Sequence, residues 1–173
     1  MLISSETKFR GRIVTGNIEE VELPNGQRVT LDIIHHPGGA ATAAVDVDQR
    51  VCLLRQYRHA AGGWVWELPA GKLEPGEPPL ATAQRELIEE AGARAAHWES
   101  IGTVLSSPGV FTETVHLFLA TGLEPAVQDT EHGELLEVHW VSLAEACRRA
   151  LAGEVNDGKT CVGLLRAAER LGM

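Results

Sequence analysis

Apolar and polar residues alternate with a period of two along much of the first third of the chain, the pattern of half-buried strands. Residues 10–15 and 18–23 follow it, and the alternation resumes over 27–34 after the turn Pro24-Asn25-Gly26, which predicts a β-hairpin. Pro37-Gly38-Gly39 closes this section. Residues 40–47 and 50–56 are two short apolar runs joined by Asp48-Gln49, and they predict a second, largely buried hairpin. A strand over 64–68 ends at Pro69, and a loop rich in Gly and Pro spans 71–79. The period then changes. Leu80, Ala83, Leu87, Ile88 and Ala91 recur at helical spacing, with Pro78-Pro79 suited to a first turn and Gly92 to the position after the last. Strands follow over 98–105, 114–120 and 135–141. Ser142-Leu143-Ala144-Glu145 has the capping-box pattern and predicts a helix to about 152, and Asn156-Asp157 opens a last helix that ends near Gly172. The order predicts a mixed α/β fold, a β-sheet sandwiched between α-helices.

Composition narrows this picture. The chain has 173 residues, 44% hydrophobic and 23% charged, which suits one globular domain. No apolar run approaches the roughly 20 residues that span a bilayer. Glu6, Lys8, Arg10 and Arg12 leave the N-terminus without the apolar core of a signal peptide, so a soluble, cytoplasmic protein with no membrane partner is expected. A formal net charge of −9 speaks against nucleic-acid binding. A small anionic ligand would need local cations or a metal. Cys52, Cys147 and Cys161 show no paired spacing and suit small buried hydrophobes.

The chemistry gathers in the loop and helix of 71–93: Gly71-x5-Glu77-x7-Arg85-Glu86-Leu87-Ile88-Glu89-Glu90-Ala91-Gly92-Ala93. Its seven fixed identities would coincide by chance about once in 10⁸ starting points. Glu86 and Glu90 are neighbours one helical turn apart, and Glu89 lies one position round from Glu90. Three like charges so close repel unless a cation sits among them, and clustered oxygen ligands suit Mg²⁺, with Mn²⁺ as a substitute. A solvated acidic helix face is the plainer alternative.

This pattern resembles the Nudix box, and the resemblance extends over almost the whole chain. Phe9-Arg10-Gly11-Arg12-Ile13-Val14, Arg55-Gln56-Tyr57-Arg58, Trp66-Glu67-Leu68-Pro69-Ala70-Gly71 and Ser106-Ser107-Pro108-Gly109 are similar to the ADP-ribose pyrophosphatase branch of the Nudix hydrolases. The resemblance implies a Nudix fold in which Glu86, Glu89, Glu90 and the Ala70 carbonyl hold the metal. Glu77 and Arg85 would tie the loop to the helix and orient the glutamates, so Arg85 and Glu89 join the catalytic set. Arg58, Arg55 and Glu67 are the implied substrate contacts. Pro108, sixteen residues past Gly92, marks the substrate class. A loop glutamate would help activate the attacking water: Glu134 matches best, Glu131 is second, and Glu137 belongs to the following strand.

The implied reaction is Mg²⁺-dependent hydrolysis of ADP-ribose to AMP and ribose 5-phosphate. A hydrolase for another nucleotide sugar such as GDP-mannose, and a non-catalytic ADP-ribose sensor, are the alternatives. Before Val51 only Phe9 is at hand to stack a base, with Trp64 or Trp66 as substitutes. The seven histidines show no ligand spacing. The resemblance also implies a homodimer, in which an N-terminal extension of residues 1–38 lends its hairpin, about 10–34, to the partner's active site. The Nudix domain would then span 39–173. A two-stranded hairpin alone is marginal in water, which is a reason for this one to pack on something.

Overall fold

A computed structural model describes residues 1–130 and 133–173. Three strands open the chain: β1 (Leu2–Arg10), β2 (Thr15–Glu22) and β3 (Arg28–His35), paired antiparallel in that order. The β2–β3 hairpin stands where the alternation places it. Its turn uses Gly26 at φ +81°, while the Asn25 side chain accepts the Gln27 N–H at 3.0 Å. The strand expected over 10–15 is instead a turn, closed by the Gly11 N–H donating to the Val14 carbonyl at 2.8 Å. The strand before it, β1, breaks alternation twice and carries register shifts between Leu2 and Ser4 and between Thr7 and Phe9. Pairing with β2 makes this segment a strand, and its own pattern does not reveal that.

The second expected hairpin does not form. β4 (Gly39–Ala44) and β5 (Arg50–Arg58) meet at a single bridge, Val45 to Val51, and then enter different sheets. β4 lies between β7 (Ala70–Lys72) and β9 (Thr114–Pro125), parallel to β9, and β8 (Ala93–Leu105) completes that sheet. β5 lies between β6 (Gly63–Glu67) and β10 (Leu136–Ser142). The reason is the small side chains of Gly39-Ala40-Ala41-Thr42-Ala43-Ala44. All six are buried, and they let α1 (Pro79–Ala91) and α3 (Gly158–Arg170) approach the strand. The single expected sheet is thus divided, and the layers remain α/β.

One core cluster joins Ala41, Val51, Leu53, Leu68 and Leu117 to Leu143 of α2 (Leu143–Leu151) and Leu164 of α3. The other joins Ala44, Cys52, Leu54 and Ala120 to Leu87 of α1. At the end of α1, Gly92 adopts φ +61° and its N–H reaches the Ile88 carbonyl. The expected capping box of α2 is not made: Ser142 forms no side-chain cap, and Glu145 pairs with Arg148 and Arg149. Asp157 does cap α3, accepting the Thr160 N–H at 3.1 Å.

Candidate active site

The box loop folds back on α1 because its fixed residues meet there. Arg85 donates from Nε to Glu77 Oε1 and from Nη2 to Glu77 Oε2, both at 3.2 Å. Glu77 also accepts Thr82 Oγ1 at 2.8 Å and the Glu74 N–H at 3.2 Å. The Arg85 bond foremost, then Thr82, holds the Glu77 carboxyl down at about 2. The other face of the guanidinium serves the metal-site candidates: Nη1 donates to Glu86 Oε1 at 2.7 Å and to Glu89 Oε2 at 2.9 Å. Gly71 gives Glu86 room, since a Cβ at that position would lie 1.8 Å from Glu86 Oε1.

Glu90 belongs to the buried side of α1, at 1% exposure, which the helical pattern did not suggest. Its Oε2 accepts the Ala70 N–H at 2.7 Å. Burial first, then the negative charges of Glu86 and Glu134, raise its carboxyl to about 8, against the opposing pull of Ala70 and Arg58. Glu86 is also raised, mainly by burial and in spite of Arg85. Among the described residues no three acidic, His or Cys side chains close on a common point. Glu86 and Glu89 lean on Arg85, and Glu90 leans on the Ala70 backbone. The donor set still fits a hard divalent cation. Buried carboxylates that raise one another's proton affinity lose that penalty when a cation joins them, provided Glu86 turns from Arg85.

Opposite this helix stands a second charged group. Arg58, at the end of β5, donates Nε and Nη2 to the two oxygens of Glu67 at 2.7 and 3.0 Å. Lys159, in the first turn of α3, donates to Glu67 Oε2 at 2.6 Å and to Asp157 Oδ2 at 3.0 Å. Glu67 is 3% exposed. Burial would raise its carboxyl, but the Arg58 bonds and the Lys159 charge hold it below the ordinary value.

A cavity of about 700 Å³ is lined by Glu86, Glu134, Ala70 and Gly71 together with Arg58 and Lys159. Glu67 faces Arg58 and Lys159 rather than this cavity. Arg55 and Pro108 are not among its lining residues. Arg55 lies over the Trp64 ring at 5.1 Å and 3.6 Å from Glu137, while Pro108 is exposed on the β8–β9 connection. Glu131 lies outside the described residues. Trp66 packs on His139 and the core, Trp64 borders a shallower neighbouring cavity, and Phe9 stays exposed on the N-terminal sheet. Sequence reasoning missed Lys159 and Asp157. It also missed His36 and Glu113, which line the same cavity with His36 Nδ1 3.3 Å from Glu113.

The NUDIX domain family matches residues 35–161, and the chain belongs to that family. It is similar to an ADP-ribose pyrophosphatase of Mycobacterium tuberculosis, 39% identical over 166 residues that cover 94% of this chain and 80% of the relative. An ADP-ribose pyrophosphatase of Bacillus subtilis is 38% identical over 164 residues, covering 94% and 89%. A GDP-mannose pyrophosphatase of Cronobacter sakazakii is 31% identical over 171 residues, covering 91% and 87%. A crystal structure described as an ADP compounds hydrolase superposes with a TM-score of 0.84 at 24% identity, covering 99% of this chain and 94% of that one, and it shares the fold. The protein is therefore a Nudix hydrolase, a family that generally uses divalent metal ions. Among the described residues no helix is long and apolar enough to cross a membrane.

Proposed function

We propose that the protein hydrolyses the pyrophosphate bond of ADP-ribose, with Mg²⁺, to AMP and ribose 5-phosphate. The observation that carries this reading is one cavity lined by the carboxylates Glu86 and Glu134 together with the cations Arg58 and Lys159. Its volume of about 700 Å³ falls in the range of small-molecule sites. The relatives of 39% and 38% identity favour ADP-ribose within that class.

Glu86, Glu89, Glu90 and the Ala70 carbonyl would hold the metal, with Mn²⁺ as a substitute. When bound, the metal supplies charge neutralisation at the phosphate oxygens and acidifies water. Arg85 orients Glu86 and Glu89. The Arg58 guanidinium uses its Nε/Nη2 edge on Glu67 and presents the remaining edge to the diphosphate. Glu134 takes a proton from the attacking water. The water oxygen ends on one phosphate and the bridging oxygen leaves on the other.

A panel of ADP-ribose, GDP-mannose and NADH with Mg²⁺, with products identified, tests the reading. ADP-ribose should give the highest kcat/KM and release AMP with ribose 5-phosphate. A preference for GDP-mannose would overturn the base and sugar assignment. Tight ADP-ribose binding without turnover would make the chain a sensor. The reading includes a cytoplasmic setting, consistent with three free cysteines, and a homodimer formed through residues 1–38. Support for the dimer is the N-terminal sheet, where Leu2, Ile3, Phe9 and Leu31 stay exposed.

A further inference from the structure

Arg58 does not stand alone at the cavity wall. A carboxylate as buried as Glu67 is costly unless its charge is matched and its oxygens are bonded. Arg58 matches that charge, and Lys159 with Asp157 brings a further ion pair, so the four groups sum to zero and what they supply is position. Lys159 adds a second cation on Glu67 Oε2, 92 residues away in sequence. Asp157, the other partner of Lys159, also accepts the Thr160 N–H at 3.1 Å and Thr160 Oγ1 at 2.6 Å at the start of α3.

The backbone fixes this arrangement. Thr160 Oγ1 accepts the Leu68 N–H at 2.8 Å, so the first turn of α3 is bonded to the residue after Glu67. Lys159 is therefore held against Glu67 by the same turn that caps the helix. Arg58 Nε and Nη2 face Glu67, and among the described residues Nη1 has no hydrogen bond. Arg58, Lys159 and Asp157 line both the main cavity and a shallower one of about 510 Å³, so the network is the partition between them.

We propose that Lys159 is a positioning residue for the hydrolysis. Through Glu67 it sets the orientation of the Arg58 fork, so that Nη1 is the guanidinium nitrogen left over for the diphosphate. The proposal rests on the reading of Arg58 as a diphosphate contact, and it does not depend on which base or sugar is attached. It follows that the first turn of α3 controls how tightly the substrate is held, although the box helix carries the metal-site carboxylates. An acidic chain that must take up a dianionic diphosphate depends on such locally held cations.

The test compares Lys159→Met, which keeps the apolar stem, with Lys159→Arg, using whichever substrate of the panel the wild type prefers. Lys159→Met should raise KM about tenfold and change kcat less than about threefold, as loss of ground-state binding requires. Lys159→Arg should recover most of the loss. In an Arg58→Met background the same Lys159→Met change should move KM less than about twofold, because the two residues act as one unit. Calorimetric binding of inorganic pyrophosphate with Mg²⁺ should follow the KM pattern without turnover. An unchanged KM and pyrophosphate affinity in Lys159→Met, or an equal KM rise with and without Arg58, would overturn the proposal. A wild type that prefers a different nucleotide sugar overturns the substrate reading alone.

Discussion

The box region and the N-terminal sheet are stabilised in opposite ways. In the box, polar groups are buried and held: Arg85 binds three glutamates and Glu90 is inside the protein. In the N-terminal sheet little is buried at all. β1 is exposed along its whole length, and its neighbours are surface pairs such as Asn17 on Ser5 and His35 on Glu19. Among the described residues its backbone hydrogen bonds to the rest run through β3, where Ile34 N–H donates to the Val110 carbonyl and the Ile34 carbonyl accepts the Thr112 N–H. The box stores electrostatic cost that a cation would relieve. The sheet leaves apolar area exposed, which a second surface would cover.

The sharpest way to break the electrostatic half of this contrast is Glu90→Gln. If Glu90 holds metal as proposed, its loss should cost several kcal/mol of transition-state stabilisation, on the order of 10³ in kcat. The glutamine oxygen can still accept the Ala70 N–H, so the fold should survive. Near-normal turnover at saturating Mg²⁺ would show that Glu90 holds no metal.

Glu134→Gln should cost less, about 100-fold in kcat, because it removes a proton acceptor and leaves the box carboxylates in place. Mg²⁺ titration should be nearly unchanged. An equal loss from Glu131→Gln with none at Glu134 would transfer the role to Glu131.

Stability against pH sharpens the same point without turnover. Metal-free, the folded protein keeps the Glu90 proton up to about pH 8, whereas an ordinary carboxyl releases it near 4.5. The stabilisation is thus complete below about pH 4.5 and is lost as the pH rises towards 8. In EDTA, wild-type Tm should fall across that window relative to Glu90→Gln, by an amount on the order of a few kcal/mol in stability. Mg²⁺ should cancel most of the difference at pH 8. Parallel Tm curves for the two proteins would refute the raised Glu90 carboxyl.

The contrast also explains what is legible in the sequence. The box is legible because each identity has a chemical task at short range: Gly71 clears Glu86, Glu77 receives Arg85, and Gly92 takes a left-handed turn. Lys159 is not legible, since nothing near it in sequence points to a carboxylate 92 residues earlier. Glu90 reads as the polar face of a helix, and only packing against β7 puts it inside. The run of alanines in β4 looks the same whether it pairs with its sequence neighbour or is covered by helices. β1 depends on β2 to be a strand.

The last prediction concerns the exposed half of the comparison. The turn after β1 places Ile13 on the chain's own cavity and Arg12 and Ile13 against the box loop at Leu73 and Pro75. Residues 1–38 thus border the chain's own cavity, while Phe9 and Leu31 remain 58% and 37% exposed. If those apolar residues meet a second copy, the wild type should run as a dimer at micromolar concentration. Phe9→Glu with Leu31→Glu should then give a monomer that keeps its fold, because neither side chain belongs to the core. Deleting residues 1–38 should do the same and also remove Ile13 and His36 from the cavity. Both variants should bind Mg²⁺ as before, since the box carboxylates lie outside the extension. The deletion should raise KM for ADP-ribose by at least the several-fold value of one lost apolar contact, since Ile13 and His36 both leave the cavity lining. The charged double variant separates assembly from the cavity wall. A rise in KM there means that the partner supplies part of the pocket, and an unchanged KM in a proven monomer means that the chain's own Ile13 suffices. A wild type that is monomeric and fully active would remove the dimer from the proposal and leave the sheet as a cover for its own site.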